Sequence, residues 1–561
     1  MPEKEFNLLH EPWILVMARS GTTSLVSLLE AFEHAHEYRA IAGDLPTQDI
    51  AVMRLLLSIM HAVFERQNID GNAWHANDPY EVLEQWQSLW ELGHFPFEVI
   101  RSYLMKYEDR FWLFHPETPF YQVAGLIKDK TVFGPFNVKK LNGDLLESDG
   151  KPRLFSSRSG EEKQVLSYAE AARWLLHMQG YAETFGKFEA KGKVKSETKA
   201  PSIGVGWLGK CGIVMADGNS LFETLMLNFT MLQDGEKLWG KERPVWEKDP
   251  SEYAKERNAI ECPNNLSELM TTLPRQILFL HNDKDLNAQQ KVSEYIFLSG
   301  SFFPKENSFA EQFTIWRHSK DPGDDPKNIP FRPKVFDAEK QVWRGFSTFV
   351  AQTKDDHRPG IVDWIARLAD EDLLERKVLT FKTSSFKYGS MSAAVTDSCS
   401  DSLSLNPALL THKFAEGWCD RIIAELDITE QLVWQLGQLA RNIEKSSGSD
   451  TGDAAYEEAK RQAYYGLDMI FRDWLEELDP KAAEIDEAKG LDAECKKFWD
   501  AEQALVRRLG KTIVNDAGAK AFVGRPDTLE AIKPLTSAEA YNLFLYKTSS
   551  KEALKSKGGK K

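Results

Sequence analysis

The hydrophobic pattern of this chain changes after Pro407, and the change limits the folds that the sequence allows. Beyond this point the apolar residues recur at the three- and four-residue spacing that places one stripe on a helix. The amphipathic stretches run from about Phe414 to Lys445, Asp453 to Leu478, Lys481 to Leu509 and Ser537 to Leu545. Short connections between long helices favour packing as a bundle. The sequence therefore predicts a C-terminal four-helix bundle over residues 409–561.

The residues before this boundary predict a mixed fold. Short apolar runs indicate strands over residues 7–29 and at Gln276–Leu280, Phe313–Trp316 and Lys377–Lys382, with a loop from Lys320 to Pro333. Helices are predicted from a Thr47 cap to Glu65, over Pro79–Leu92, and from a Ser167–Glu170 capping box to a Gly180 terminator. The fold class is α+β, in which a large, irregular mixed α/β domain over residues 1–408 precedes the bundle.

Composition narrows the class of protein and its cellular location. The chain has 561 residues and no apolar run that reaches the ~18–20 residues of a membrane span. Its charged N-terminus lacks the apolar core of a signal peptide. The five cysteines lie far apart, so neither a zinc site nor a disulfide framework is indicated. We expect a cytoplasmic protein with no metal and no membrane partner.

The net charge of −15 is unfavourable for a protein that binds nucleic acid over a broad surface. The charge is unevenly distributed, because residues 451–500 hold 7 basic against 14 acidic residues. Five lysines, by contrast, lie within residues 191–210 beside one acid, and six lie in the tail 547–561. A local basic patch on an acidic body is one interpretation, and a solvated loop and tail is the other.

The segment from Ile203 to Cys211 reads I-G-V-G-W-L-G-K-C and matches parts of two nucleotide-binding patterns. Both patterns need a buried strand before the glycines and a helix after them. The preceding residues are polar and rich in lysine, and Cys211 stands where a Mg²⁺-binding serine or threonine is required. The alternatives are a nucleotide-binding enzyme and a glycine turn whose backbone approaches another ligand. No HExxH or GxSxG motif is present, so we predict no catalytic residue and no cofactor.

Two further strings carry a family resemblance. The opening residues Phe6–Ile14 read F-N-L-L-H-E-P-W-I, and Thr118–Gln122 read T-P-F-Y-Q. Together they resemble the large subunit of the type I-E CRISPR surveillance complex Cascade, the CasA family. The resemblance implies a non-enzymatic subunit that recognises the protospacer-adjacent motif (PAM) in double-stranded target DNA and nucleates strand separation. It also implies other Cascade subunits, guide RNA and the CRISPR helicase–nuclease as partners.

The resemblance assigns roles to particular residues. It implies DNA-backbone contact by Gly204, Gly206 and Gly209, with Lys210 as a phosphate partner, and minor-groove contact by Lys305. The alternatives that the sequence leaves open are a plain glycine turn and an ordinary exposed lysine.

A wedge inserted beneath the PAM corresponds to Lys387, Tyr388, Gly389, Ser390 and Met391, although relatives often carry a polar amide at its tip. The other interpretation of this string is a β-hairpin turn.

A loop that contacts guide RNA and neighbouring subunits corresponds to Phe155, Ser156, Ser157 and Arg158. A connection without such contacts is the alternative for this loop. For the whole chain, the alternatives are a nucleotide-binding enzyme built on Gly204–Lys210 and a scaffold subunit that does not contact DNA.

Overall fold

The chain folds into two compact units in this computed structural model. The N-terminal unit comprises Met1–Lys340, Thr353–Leu373 and Thr380–Ser402, and the C-terminal unit comprises Gln341–Gln352, Leu374–Leu379 and Leu403–Lys561. The structure describes residues 4–124, 126, 135–142, 158–183, 204–241, 243–250, 260–280, 286, 289–298, 301, 303–320, 324, 327, 329–350, 357–374, 376–392, 394–449, 451–486, 489–524 and 536–555.

Most strands of the described residues are short, β16 and β17 being the long ones, and they form small sheets of two or three members. They are β1 (Glu5–Asn7), β2 (Ile14–Ala18), β3 (Thr23–Val26), β4 (Tyr38–Ile41), β5 (Trp112–Phe114), β6 (Phe136–Asn137), β7 (Leu166–Ser167), β8 (Ile213–Asp217), β9 (Leu232–Gln233), β10 (Lys237–Leu238), β11 (Gln276–Leu280), β12 (Lys291–Val292), β13 (Glu294–Leu298), β14 (Trp316–His318), β15 (Phe331–Pro333), β16 (Leu379–Tyr388) and β17 (Val395–Leu405). The three-stranded sheets have the orders β3-β2-β4, β11-β13-β6 and β17-β16-β8, and the other strands pair as β1-β5, β10-β9, β12-β7 and β14-β15.

Helices carry most of the regular structure. They are α1 (Leu28–Glu33), α2 (Pro46–Phe64), α3 (Pro79–Leu92), α4 (Phe97–Lys106), α5 (Tyr168–Tyr181), α6 (Leu221–Asn228), α7 (Leu266–Thr271), α8 (Ser347–Val350), α9 (Gly360–Asp370), α10 (Ala415–Ser446), α11 (Asp453–Glu477), α12 (Pro480–Ala483), α13 (Leu491–Asn515), α14 (Ala519–Val523), α15 (Ser537–Lys547) and α16 (Lys551–Lys555). Short 3-10 turns include Trp207–Lys210, Lys305–Ala310 and Ser390–Ser392.

Helix α2 forms the core of the N-terminal unit and packs against α5 and α7. Almost every one of its residues is buried, including the charged Arg54. Within the described residues it is the one helix long and apolar enough to cross a membrane. Of its most apolar 18-residue stretch, 94% is buried inside the protein. Its composition is therefore that of a core helix, in which apolar residues on all sides meet protein.

Helices of the N-terminal unit were predicted correctly where a side chain at the start of the helix caps it. The Pro79–Leu92 helix is confirmed, and Ser167 and Glu170 form the predicted capping box of α5. The Thr47 cap is wrong: α2 begins at Pro46 without a side-chain cap, and Thr47 Oγ1 instead lies 3.1 Å from His177 Nε2. The Gly180 terminator is also wrong, because α5 continues to Tyr181.

Strand predictions were less accurate, since a strand depends on a partner that is distant in sequence. The Gln276–Leu280 strand is confirmed. The strand predicted at Phe313–Trp316 instead begins at Trp316, and it pairs with Phe331–Pro333 at the end of the predicted loop. The polar, serine-rich stretch after Ser384 forms the paired strands β16 and β17. Residues 383–386 of β16 are all buried although three of them are polar, whereas most of β17 is not buried.

The C-terminal unit confirms the predicted bundle. Helix α10 contacts α11, α13 and α15, and α13 also contacts α11 and α15. The rings of Trp474 and Phe498 stack with their centroids 4.4 Å apart between α11 and α13. The third predicted stretch is interrupted, since a short helix at Pro480–Ala483 precedes α13 at Leu491. The observed architecture is α+β with a C-terminal helical bundle.

The buried carboxylates of this bundle include Glu425 and Glu502. Glu425 is 1% exposed, and its Oε2 accepts a 2.6 Å hydrogen bond from Lys551 Nζ of α16. Glu502 has no exposed surface, and its Oε2 accepts a 2.6 Å hydrogen bond from Thr429 Oγ1. Burial, together with the nearby Glu425 charge, raises the pKa of Glu502 to about 8. Glu502 therefore holds its proton in the folded protein at neutral pH.

We expect Glu502→Gln to raise the melting temperature of the full chain, most strongly above pH 8. The unfolded carboxyl releases its proton near pH 4.5 and the folded one near 8, so this group makes stability fall as pH rises between those values. Glutamine does not ionise, so it removes that pH dependence and raises the free energy of unfolding by on the order of 2 kcal/mol at pH 7. Thermal unfolding at pH 5, 7 and 8.5 measures it. Asp500→Asn, at an exposed site on the same helix, is the control. Equal pH profiles for Glu502→Gln and the wild type would contradict the prediction.

Candidate nucleic-acid interface

The glycine loop, residues Gly204–Lys210, lies against the C-terminal end of α5. The Gly206 N–H donates a 2.8 Å hydrogen bond to the carbonyl oxygen of Ala182. A Cβ atom added to Gly206 would lie 2.2 Å from the carbonyl oxygen of Gly180, well inside any tolerable contact. Glycine is therefore required at position 206 because two backbone segments approach closely, whatever else the loop binds.

The start of the loop is fixed by its backbone conformation and by an arginine. Gly204 has a φ of +69°, in the left-handed region that favours glycine. Its carbonyl oxygen accepts a 2.7 Å hydrogen bond from Nη2 of Arg275, which immediately precedes β11. The guanidinium thus holds the loop from a segment 71 residues away in sequence.

A buried ion pair holds the loop from beneath. Trp207 begins the 3-10 turn and donates from Nε1 to Glu311 Oε2 at 3.1 Å. The other oxygen, Glu311 Oε1, lies 2.9 Å from Arg54 Nη1, and the two side chains are 0% and 6% exposed. Removing one member of such a pair leaves an uncompensated buried charge and costs about 3–5 kcal/mol. The position of Trp207, and with it of the loop, is thereby set by the core helix α2.

The last glycine of the loop contacts the predicted wedge. A Cβ atom on Gly209 would lie 2.6 Å from Oη of Tyr388, the last residue of β16. The Tyr388 hydroxyl donates a 2.7 Å hydrogen bond to the carbonyl oxygen of Tyr181. Burial raises the pKa of this phenol well above its usual range, so it remains a donor. The structure therefore brings Gly204, Gly206, Gly209 and the base of the wedge together at one helix end.

The wedge itself is the tip of the β16–β17 hairpin. Lys387 and Ser390 are exposed, and the Gly389 N–H donates a 2.9 Å hydrogen bond to the Ala394 carbonyl across the turn. On the returning strand, the Val395 N–H donates a 3.0 Å hydrogen bond to Glu183 Oε1, just beyond α5. The Met391 backbone belongs to a 3-10 turn, and its side chain lies outside the described structure. The alternative of a β-hairpin turn and the wedge interpretation thus describe the same element.

Positive charge collects beside the loop. Lys210 is exposed overall, and partial burial lowers the pKa of its ammonium, with the positive charges of Arg275 and Arg332 adding to the shift. Arg332, on β15, is ion-paired with Asp324 through Nε at 2.7 Å. Sequence reasoning identified Lys210 but missed both arginines, because no local pattern links positions 210, 275 and 332. Because Arg275 is buried and Arg332 is paired with Asp324, Lys210 is the exposed cation of the three and the one that a phosphate can reach.

The remaining predicted residues lie elsewhere or outside the described structure. Lys305 begins a 3-10 turn, with its side chain outside the description, and Asn307 of that turn donates a 2.8 Å hydrogen bond to the Ile260 carbonyl. Phe155, Ser156 and Ser157 lie outside the described residues. Arg158 pairs with the Glu170 carboxylate at the N-terminal end of α5. This end is about 20 Å from the glycine loop, given the rise of a 14-residue helix.

The surroundings of the glycines do not match a nucleotide-binding loop. Such a loop requires a helix after the last glycine, whose N-terminal N–H groups face the phosphate. Here Gly209 lies within a 3-10 turn, and strand β8 follows at Ile213. The element order therefore does not favour the alternative of a nucleotide-binding enzyme built on Gly204–Lys210.

We expect Gly206→Ala to destabilise the protein by about 1–3 kcal/mol, because the new methyl group meets the Gly180 carbonyl and neither backbone can move freely. Urea unfolding of the full chain measures the change. Gly417→Ala is the control: this helical glycine has open space around its Cβ position, so alanine there should be neutral or stabilise by up to ~1 kcal/mol. Equal stability of Gly206→Ala and the wild type would show that the close approach to α5 does not hold in solution.

Comparison with known proteins places the chain in a family. The family model of the CRISPR-associated protein Cse1 matches residues 7–504. The CasA/Cse1 protein of Thermus thermophilus is 33% identical over 247 residues, a match that covers 44% of this chain and 43% of that relative. The crystal structure of Thermobifida fusca Cse1 is 28% identical and superposes with a TM-score of 0.80 over 98% of both chains.

A chain of a CRISPR RNA-guided surveillance complex has a TM-score of 0.68 at 16% identity, over 98% of this chain and 100% of that one, which shows a shared fold. The match to the curated relative spans less than half of that relative's length. The family model, by contrast, spans most of the 561 residues and agrees with the resemblance carried by Phe6–Ile14 and Thr118–Gln122. The chain belongs to the CRISPR-associated Cse1 family, also called CasA.

Proposed function

We propose that this protein is the large, non-catalytic subunit of a type I-E CRISPR surveillance complex, which recognises the PAM in double-stranded target DNA and nucleates strand separation. One observation carries the proposal: the glycine loop and the wedge hairpin meet at the C-terminal end of α5, where Gly209 contacts Tyr388. Family membership supports it, as does the shared fold with a chain of a surveillance complex.

Recognition in this proposal is divided between RNA and protein. Guide RNA reads the target by base pairing while protein reads a short duplex motif, as in other RNA-guided effectors. Gly204 has no Cβ atom and open space around it, so the backbone at this position approaches the minor groove closely, and the exposed Lys210 neutralises an adjacent phosphate. The minor groove distinguishes A·T from G·C and little else, so the protein tolerates several related motifs. Lys305 would add a second minor-groove contact.

Strand separation begins at the hairpin tip. Inserting a side chain between base pairs costs a few kcal/mol of stacking, which contacts to the opened duplex offset. Ser390 is exposed at the tip, and Met391 follows it in the same turn. Because Tyr388 is bonded to the Tyr181 carbonyl and packs on Gly209, the tip keeps a fixed offset from the loop. The duplex is therefore opened at a set distance from the motif that is read.

The acidic character of the chain fits a local contact. With a net charge of −15, the protein does not attract DNA over its whole surface, so backbone subunits and guide RNA contacts supply the remaining affinity. In this proposal Phe155, Ser156, Ser157 and Arg158 contact guide RNA or a neighbouring subunit, and Arg158 exchanges Glu170 for a phosphate. The bundle contacts neighbouring subunits and the displaced strand, and the protein helps recruit the helicase–nuclease in the cytoplasm without a cofactor.

We expect Lys210→Ala to weaken the binding of the guide-loaded complex to a PAM-containing duplex by about tenfold and to reduce the salt slope by about one, since one phosphate contact is lost. A mobility shift of complexes assembled with and without this protein, on duplexes with intact or scrambled PAM, measures both. Lys106→Ala, at an exposed site at the end of α4, is the matched control.

The mobility shift also separates the alternatives. Tighter binding to the intact PAM alone supports recognition by this subunit, and equal tightening of both duplexes indicates a non-specific clamp. No change in either duplex, or no effect of Lys210→Ala beyond that of Lys106→Ala, would favour the scaffold subunit and count against the proposal.

We expect Tyr388→Phe to slow strand opening by about fivefold while the initial affinity for the PAM duplex stays within twofold, because about 1 kcal/mol of hydrogen bonding holds the hairpin at its offset. Fluorescence of 2-aminopurine placed beside the PAM follows opening directly. Tyr80→Phe, at a tyrosine that is 64% exposed, is the control. Equal opening rates for Tyr388→Phe and Tyr80→Phe would show that the Tyr181 contact does not set the position of the wedge.

A further inference from the structure

A second feature of the N-terminal unit, separate from the glycine loop and the wedge, has the character of a binding site. It is a cleft of about 380 Å³, hereafter the tryptophan cleft, between the C-terminal end of α2, the turn before α3 and the end of the β9–β10 hairpin. Its volume lies within the range of clefts that hold small ligands, roughly 300–1,000 Å³. None of the residues proposed above to contact DNA or RNA lines it.

The walls of the cleft carry two indole rings. Trp74 and Trp239 both line it, and both are partly exposed. Trp239 Nε1 donates a 2.9 Å hydrogen bond to the Thr230 carbonyl, which fixes the plane of the ring. The backbone N–H of Trp74 donates a 2.8 Å hydrogen bond to the Arg66 carbonyl, and this bond anchors the turn that carries the Trp74 side chain. The Trp239 ring is held by its own hydrogen bond, and both indoles are partly open to solvent, so they offer stacking surfaces for a flat aromatic ligand.

The floor of the cleft combines apolar side chains with two polar ones, Glu65 and Asn265, whose polar groups are already hydrogen-bonded within the protein. Glu65 accepts a 2.7 Å hydrogen bond at Oε2 from Asn265 Nδ2, and its Oε1 lies 2.7 Å from His61 Nδ1. Asn265 also donates to the Gly240 carbonyl at 3.0 Å and accepts at Oδ1 from the Ser267 N–H at 2.7 Å. The floor therefore offers a ligand little directional hydrogen bonding, so stacking dominates over base-specific contact.

The rim is positively charged. Arg66, Lys241 and Arg243 line the cleft, and Arg66 is already paired with Glu247 at 2.9 Å. Lys241 and Arg243 are exposed, and no hydrogen bond or ion pair joins either to another residue in the part of the chain that the structure describes. A ligand that fits this arrangement is flat and aromatic at one end and anionic at the other.

We propose that the tryptophan cleft binds an unpaired nucleotide, with its base against Trp74 and Trp239 and its phosphate at Lys241 and Arg243. Aromatic side chains beside a basic groove are the recurring means of binding single-stranded nucleic acid without sequence preference. The inference extends the protein beyond duplex recognition, because a paired base is not accessible to such a cleft. The ligand is a nucleotide of a single strand or a free nucleotide, and the two share this chemistry.

The test is the fluorescence anisotropy of a 5′-labelled dT₁₂ oligonucleotide titrated with the full-length protein. We expect Trp74→Ala to weaken binding at least about fivefold, since stacking of one base is lost. The double variant Lys241→Ala/Arg243→Ala should weaken binding about tenfold and reduce the single-strand salt slope by about 1.4, for two phosphate contacts. Lys106→Ala does not line the cleft and should leave affinity unchanged. The double variant changes only exposed residues, so it stays informative if Trp74→Ala misfolds.

Competition with 5′-dTMP identifies the source of the nucleotide. Displacement of the oligonucleotide by millimolar dTMP indicates a site for the free nucleotide, and sensitivity to the cleft variants without displacement indicates a strand. Both outcomes support the cleft. Absence of saturable dT₁₂ binding, or identical affinities of the cleft variants and Lys106→Ala, would overturn the proposal. The probe has no PAM, so a failure here leaves the mobility-shift result for Lys210→Ala unaffected.

Discussion

The carbonyl groups at the C-terminal end of α5 are the constraint on which the candidate interface depends. The last carbonyls of a helix have no partner within it and must be satisfied from outside. Here the Tyr181 carbonyl accepts the Tyr388 hydroxyl, and the Ala182 carbonyl, just past the helix, accepts the Gly206 N–H. The glycine loop and the β16–β17 hairpin, which lie about 180 residues apart in sequence, are thus held by two adjacent carbonyl groups at the end of α5. The packing of α5 on the core helix α2 transmits this position to the interior of the N-terminal unit.

The sequence predicted those parts of the fold whose signals are local. The Ser167–Glu170 capping box, the Pro79–Leu92 helix and the amphipathic periods of the bundle each specify themselves within one or two turns. It did not predict the pairing of β14 with β15, nor that the strands beside the predicted β-hairpin turn extend through the serine-rich stretch, because these strands gain their stability from partners elsewhere in the chain. Thr47 was misassigned for the same reason, since its hydroxyl contacts His177, 130 residues away.

In the candidate site, too, the sequence showed the local motif but not the long-range contacts. The glycines and Lys210 were visible as a motif, but the residues that position them were not, because Arg275, Glu311 and Arg54 approach the loop only in the folded chain. The reason for a glycine also differs from the one that the motif implied. At position 206 the close approach is to the α5 backbone, whereas Gly204 has a positive φ and open space around it. The resemblance implied DNA contact by these glycines, whereas the fold gives a structural reason for glycine at positions 204 and 206.

The buried link from Arg54 through Glu311 to Trp207 has a consequence for how such an interface changes during evolution. Replacing one member of this link alone leaves a charge or a polar group unpaired in the core, so we expect these three residues to tolerate few substitutions. Lys210, Lys387 and Ser390 are exposed and carry no such penalty. We therefore expect divergence between related proteins to accumulate in the exposed side chains around the loop, while the buried link that positions Trp207 changes little.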